Sequence, residues 1–294
     1  MKVLITGSKG QLGSEIKELA SEYEKLQCVF KDLPELDICD AEVLNTFIID
    51  QHINAVINCA GYTAVDKAEE EEEEALIAQK VNSEGVLNLA NALKKVDGKL
   101  IHISTDYVFD GNHSQPYKES DPVSPVGVYG ETKRAGELAV LNSSIDAIVI
   151  RTSWLYSVYG NNFVKTMLRL GNEKKSIKVV SDQKGTPTYA KDLAKTCLDI
   201  LSDASSTNLS KKGILYHYSD EGVTSWYNFA TAIMEIGNID CKVIPIETKD
   251  YPTQARRPLY SVLDKSKIKS DFKVTIPHWR DSLANCIKKI NHNS

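Results

Sequence analysis

A β-rich run that breaks into evenly spaced glycines and then into an amphipathic helix leaves a chain few folds to choose from. Here the run is Lys2-Val-Leu-Ile-Thr6, followed at once by Gly7-Ser-Lys-Gly10-Gln-Leu-Gly13. Beyond it Ile16, Leu19, Ala20 and Tyr23 share one helical face, with Glu15, Lys17, Glu18 and Glu22 elsewhere. Strand, glycine loop and helix in this order are the context a dinucleotide site needs. The glycines permit a tight turn and close backbone approach, and the helix start offers free N–H groups to a pyrophosphate. The spacing is G-x-x-G-x-x-G, not the G-x-G-x-x-G of many dinucleotide loops. A glycine turn without a ligand is the alternative, and the position at the head of an α/β pattern weighs against it.

The pattern repeats. A second strand around Gln27 to Phe30 ends near Asp32, close to the offset of about 20 residues at which an acid bonds the adenosine ribose 2′-hydroxyl. Such an acid favours NAD by repelling a 2′-phosphate, although Lys31 stands beside it. Asp37-Ile38 follows in a loop, as an adenine neighbour or a plain turn, and Asp40 is placed to cap the next helix. A third strand, Ala55-Val-Ile-Asn58, opens into Cys59-Ala60-Gly61-Tyr62-Thr63, whose small residues let a flat ligand lie against the backbone. Glu69 to Glu74 are six consecutive glutamates and read as a solvated helix start with no chemistry. In the long helix that follows, Asn82 is a poor helix former unless it has a partner. A fourth strand, Lys99 to Ser104, ends at Thr105-Asp106. Four βα units with short connections predict a doubly wound parallel sheet.

Tyr129 and Lys133 stand four apart, so on a helix their side chains serve one point. A free tyrosine titrates near ~10. A neighbouring ammonium is expected to lower that value and bring the phenol into range as an acid or base. A surface helix with an incidental pair is the alternative reading.

The remaining composition narrows the class. The net charge of -5 leaves no basic footprint for nucleic acid. No apolar stretch reaches the roughly 20 residues of a membrane span, and the early glycine rules against a signal peptide. Six scattered cysteines without C-x-x-C spacing read as buried reduced thiols, which points to the cytoplasm.

Together, Gly7-x-x-Gly10-x-x-Gly13, Ser104-Thr105-Asp106 and Tyr129-x-x-x-Lys133 resemble the extended short-chain dehydrogenase/reductase superfamily. Further blocks narrow the resemblance to its dTDP-4-dehydrorhamnose reductase family. They are Thr63-Ala-Val-Asp-Lys-Ala-Glu69, Ser104 to Gly111, Arg151-Thr-Ser-Trp-Leu-Tyr156, Asn161-Asn-Phe-Val164, Asp182 to Thr188 and Arg256-Arg-Pro-Leu-Tyr-Ser-Val-Leu263. The resemblance implies NAD(P)H-dependent reduction of the C4 ketone of a dTDP-4-dehydro sugar in a Rossmann-like fold with a smaller, interleaved substrate-binding lobe. It implies Tyr129 as proton donor, Lys133 as its partner and as a holder of the nicotinamide ribose, and Thr105 as a hydrogen-bond donor to the same oxygen. Asp106, Trp154 and Asn162 are expected at the sugar nucleotide. Gly10, Gln11, Leu12, Asp37, Ile38, Gly61, Tyr62 and Thr63 match the family's cofactor contacts, with Gly7, Gly13, Asp32 and Ala60 beside them. NADPH is the expected cofactor, with NADH as the alternative. Related dehydratases carry an acid directly after the Thr-Asp pair; Tyr107 stands there and favours a plain reductase.

The clean alternation ends after Thr152, so the expected division is a cofactor domain over 1–153, with a helix returning at about 189–205, and a substrate lobe over 154–294. Arg256 and Arg257 are equal candidates for the dTDP pyrophosphate, because guanidinium forks match phosphate oxygens. Some family members dimerise through a magnesium site built from acids. Glu15 matches one position, but the terminal Asn291-His292-Asn293-Ser294 brings no acid to complete the set. The expected assembly is therefore a monomer or homodimer with no assigned metal. Two competing readings remain: another sugar-nucleotide reductase or epimerase, and a non-catalytic module like the regulatory subunit of methionine adenosyltransferase. Retention of Thr105, Tyr129 and Lys133 argues against the second.

Overall fold

The computed structural model of the chain describes residues 1–203 and 213–293. Strands β1 (Lys2–Thr6), β2 (Gln27–Phe30), β3 (Ala55–Asn58), β4 (Lys99–Thr105) and β5 (Asp146–Thr152) fall where the apolar runs predict. Later strands are β6 (Ser176–Val180), β7 (Gly213–His217) and β8 (Lys242–Ile246). The main sheet is entirely parallel, in the order β7-β5-β4-β3-β1-β2. Its sixth strand thus comes from the second half of the chain, which the loss of clean alternation after Thr152 had hidden.

Successive strand residues point to opposite faces, and both faces are covered. Val3 and Ile5 join Ile16 and Leu19 of α1 (Gln11–Leu19) and Leu193 and Cys197 of α8 (Ala190–Ser202) on one side. On the other side, Leu4 packs with α2 (Ala41–Asp50), α5 (Gly85–Lys95) and Val140 of α6 (Val128–Leu141). Helix α8 lies within the span of about 189–205 where a helix is expected; positions 204 and 205 of that span lie outside the described residues. Between β1 and β3 the chain reverses its winding, and an open parallel sheet leaves its ligand crevice at the carboxyl ends of such a pair.

A second core gathers α7 (Phe163–Glu173), α9 (Trp226–Gly237) and α10 (Trp279–Asn293) against the parallel pair β6 and β8. Among the described residues, no helix is long and apolar enough to cross a membrane.

The glutamate run contains a helix break. Helix α3 (Val65–Glu70) stops, Glu71 is extended, and α4 (Glu72–Gln79) begins with three glutamates in its first turn. Those three sit where a helix dipole favours negative charge, as expected. Glu69 departs from the expectation, because its carboxylate accepts the Val128 N–H at 2.7 Å, at the start of α6. The single long helix expected beyond the run is α4, a π-helical turn over Lys80–Glu84, and α5. Asn82 sits in that turn, and its amide exchanges bonds with the backbone N–H and carbonyl of Tyr62 and donates to Thr132 Oγ1.

Candidate active site

The glycine loop is shaped by its neighbours. Gly7 has φ +60°, and a Cβ there would lie 2.6 Å from the Ala60 nitrogen, so only glycine fits beside the end of β3. Gly10 donates to the Gly7 carbonyl at 3.0 Å and precedes α1 with no side-chain cap, leaving first-turn N–H groups free. Asp32 accepts the Lys9 N–H at 2.7 Å and the Leu33 N–H at 2.8 Å, so this acid holds the loop while facing the crevice. A cleft of about 510 Å³ runs over Gly7, Gly10, Asp32, Asp37, Ile38, Ala60, Gly61 and Tyr62. Eight of the expected cofactor residues therefore share one wall. The others lie apart from it. Leu12 is buried in the core, and Gly13 lets α1 close on the Gly7 carbonyl. Thr63 is exposed just before α3. Gln11 turns toward the second half of the chain, donating to Leu155 O at 3.5 Å and accepting from Asn162 at 3.0 Å.

The end of β4 and the start of α6 hold the other expected residues. Thr105 and Asp106 close β4, and Tyr129 and Lys133 come from the first two turns of α6. Lys133 is buried and donates from Nζ to Ile103 O at 2.6 Å; the loss of water pulls its ammonium down to about 8. Gly61 borders it, since a Cβ there would lie 3.8 Å from Nζ. Tyr129 is half-buried, with the Tyr107 ring edge-on at 5.5 Å. The expected lowering of Tyr129 by Lys133 is not what its surroundings produce. Burial pushes the phenol up to about 12, against a downward pull from the Thr105 hydroxyl. Desolvation outweighs that hydrogen bond and the nearby Asp106 charge adds to the rise, so the phenol keeps its proton at neutral pH. Asp106 is buried, and the same cause raises its carboxyl to about 6, opposed by bonds from Ser261 and Thr105.

Beneath this group lies a buried ion pair. Glu137, one turn beyond Lys133 on α6, accepts from Arg151 Nε at 2.6 Å and Nη2 at 2.8 Å, from Ser104 Oγ at 2.7 Å, and from Arg134 at 2.7 Å. Arg151 also lies 4.9 Å from the centre of the Phe109 ring. Glu137 thus ties α6 to β4 and β5.

A second pocket of about 300 Å³ is lined by Phe163, Lys178, Gln183, Trp226, Tyr251 and Arg257, among others. Trp154 has φ +48° and stacks on Trp226, centroids 3.7 Å apart and planes within 11°. No sequence signal marked Trp226. The two arginines now separate: Arg256 is exposed, whereas Arg257 lines the pocket and donates to both Asp66 oxygens at 3.1 and 2.6 Å. Asn162 turns away from this pocket. It caps α7 by accepting the Lys165 N–H and spends its amide N–H groups on Gln11, Ser157 and Tyr159.

Glu15 is the position that the resemblance links to a magnesium site. This side chain is buried, accepts from Ser157 Oγ at 2.5 Å, and has Lys289 Nζ 3.7 Å from its other oxygen. Lys289 also pairs with Glu18. An ammonium already supplies the positive charge, and among the described residues no three acidic, histidine or cysteine ligands converge. Within one chain, then, the described residues do not complete a divalent-ion site at Glu15.

A family model described as RmlD substrate binding domain matches residues 1–292. A dTDP-4-dehydrorhamnose reductase of Burkholderia thailandensis is 38% identical over 99% of this chain and 99% of its own. The crystal structure of a dTDP-4-dehydrorhamnose reductase from Clostridium acetobutylicum is 40% identical, with TM-score 0.91 over 99% of this chain and all of that one. That of the Bacillus anthracis enzyme, solved in complex with NADP, is 35% identical, with TM-score 0.89 over 98% of this chain and 99% of that one.

Proposed function

Because the chain belongs to the RmlD substrate binding domain family, we propose that it reduces the C4 ketone of dTDP-4-dehydro-L-rhamnose to give dTDP-L-rhamnose, the last step in making that sugar donor. The observation that carries the reading is a protonated phenol hydrogen-bonded to the Thr105 hydroxyl and, four residues on along the same helix, a buried ammonium beside Gly61 of the glycine-loop cleft. Reduced nicotinamide supplies the hydride when bound. Tyr129 then gives its proton to the C4 oxygen, and the Thr105 hydroxyl steadies the negative charge that gathers there. Lys133 offsets the phenolate left behind. Asp106 and Trp154 border the sugar, and Arg257 is set to meet the pyrophosphate with Asp66 behind it. In this reading residues 1–153, with α8 and β7, form the cofactor side and most of 154–294 forms the substrate side.

The test is oxidation of NADPH and of NADH by the purified protein with dTDP-4-dehydrorhamnose, with the product identified by chromatography. Absence of turnover with both cofactors overturns the reading. The Bacillus anthracis complex supports NADPH, whereas Asp32 at the cleft supports NADH, so the ratio of the two rates decides the preference. Arg257→Ala is expected to raise KM for the sugar nucleotide by at least about tenfold, the loss of one charge-assisted contact. Arg256→Ala should stay near the wild-type value. Equal effects from the two would place the pyrophosphate elsewhere.

A further inference from the structure

We infer that the short helix α3 is a strut whose two acids, Asp66 and Glu69, set the proton donor and the substrate arginine relative to one another. The inference rests on the proposed reduction for its kinetic arm only. Asp66 and Glu69 stand three apart, on one side of a helix. Asp66 reaches the substrate side: both its oxygens accept from the Arg257 fork, at 3.1 and 2.6 Å, and Oδ1 also takes the Ala255 N–H at 3.1 Å. The guanidinium holds the Asp66 carboxyl below its usual range. An arginine whose fork is matched by a carboxylate presents its remaining N–H groups in a fixed direction.

Glu69 reaches the catalytic helix. The residue before α6 is Gly127, which has no side chain to cap it, and the Glu69 carboxylate accepts the Val128 N–H at 2.7 Å instead. The carboxylate lies against Gly127, where any Cβ would collide with it. The cap thus comes from another helix, and glycine at 127 is what admits it.

The consequence follows from where Tyr129 sits. It is the second residue of α6, in the turn that frays first when a helix loses its cap, whereas Lys133 lies one turn further in. Losing Glu69 therefore disturbs the proton donor more than the lysine or the cofactor cleft. Losing Asp66 frees the Arg257 fork while α6 stays capped. Neither carboxylate need touch substrate; both are positioning residues.

The test compares Glu69→Ala, Glu69→Gln, Asp66→Ala and Asp66→Asn with the wild-type enzyme. Glu69→Ala is expected to lower kcat about tenfold, on the scale of the 0.5–2 kcal/mol that a lost cap costs, with KM for the cofactor unchanged. Glu69→Gln keeps an acceptor oxygen and should restore most of kcat. Asp66→Ala should raise KM for the sugar nucleotide several-fold at near-normal kcat, with Asp66→Asn between it and wild type. Two readouts do not depend on turnover: amide hydrogen exchange at Val128 and Tyr129, expected to quicken in Glu69→Ala only, and affinity for dTDP, expected to weaken in the Asp66 variants only. An inactive wild type would end the reductase reading and leave these two readouts to decide the strut. Uniform loss of thermal stability, with kcat, KM, exchange at α6 and dTDP affinity all as in wild type, overturns the inference. So does Glu69→Gln failing as badly as Glu69→Ala.

Discussion

Tyr129→Phe is expected to lower kcat by about two to four orders of magnitude, the range a positioned general acid contributes, with cofactor affinity close to wild type. The substitution removes one oxygen and leaves the ring against Tyr107, so packing is preserved. What is lost is a proton that burial keeps on the phenol. Steady-state kinetics with the dTDP sugar, beside fluorescence titration of NADPH, reads both quantities; near-normal turnover would remove Tyr129 from the mechanism. The same chemistry has a pH signature. Lys133 titrates near 8 in the free protein because desolvation disfavours its ammonium. If its charge offsets the phenolate, kcat/KM falls as pH rises through that value, and a profile level to pH 9.5 would count against that role.

Glu137→Ala is expected to cost about 3–5 kcal/mol, because removing one partner of a buried pair leaves the other charge without compensation. Arg151 is 1% exposed and has no route to water once its carboxylate is gone. Urea unfolding followed by circular dichroism measures the cost. Replacing both residues by apolar ones of similar size, as in Glu137→Leu with Arg151→Met, should recover much of it, since no orphaned charge then remains. A cost under about 1 kcal/mol for the single variant, the scale of an exposed pair, would mean that the pair contributes little. The pair also sets an acid limb. Its bonds hold the Glu137 carboxyl below the ordinary 4.5 despite burial. The stability it adds is therefore fully present above that ordinary value and drains away as pH falls through the lower, folded-state value.

Much of the fold was legible because its signals are local. Five runs became β1 to β5: β1, β3, β4 and β5 are buried nearly throughout and so largely apolar, while β2 at the sheet edge is part-buried. Gly7 was legible because the turn and the neighbouring strand both exclude a side chain. Helical spacing put Tyr129 and Lys133 on one face of α6, and only the family resemblance gave them expected roles. The glutamate run was half legible: Glu72 to Glu74 open a helix as such runs do, but nothing local marks Glu69 as the cap of a helix 59 residues away.

The remainder needed the chain to be folded. Arg256 and Arg257 are identical in type and adjacent in sequence, and only the meeting of α3 with the 255–257 segment gives Arg257 a carboxylate and a pocket. Trp226 entered the site by stacking on Trp154, a contact across 72 residues that no periodicity encodes. The direction of the Tyr129 shift was likewise beyond the sequence, because spacing reports that a lysine is near but not how much water is excluded. By itself, then, the sequence determined the parallel sheet and the glycine loop and put Tyr129 and Lys133 on one helical face, all properties of residues within a few positions of one another. Only the tertiary structure decided their protonation, their caps and which arginine faces the pocket, since burial and long-range pairing exist only once distant segments have packed.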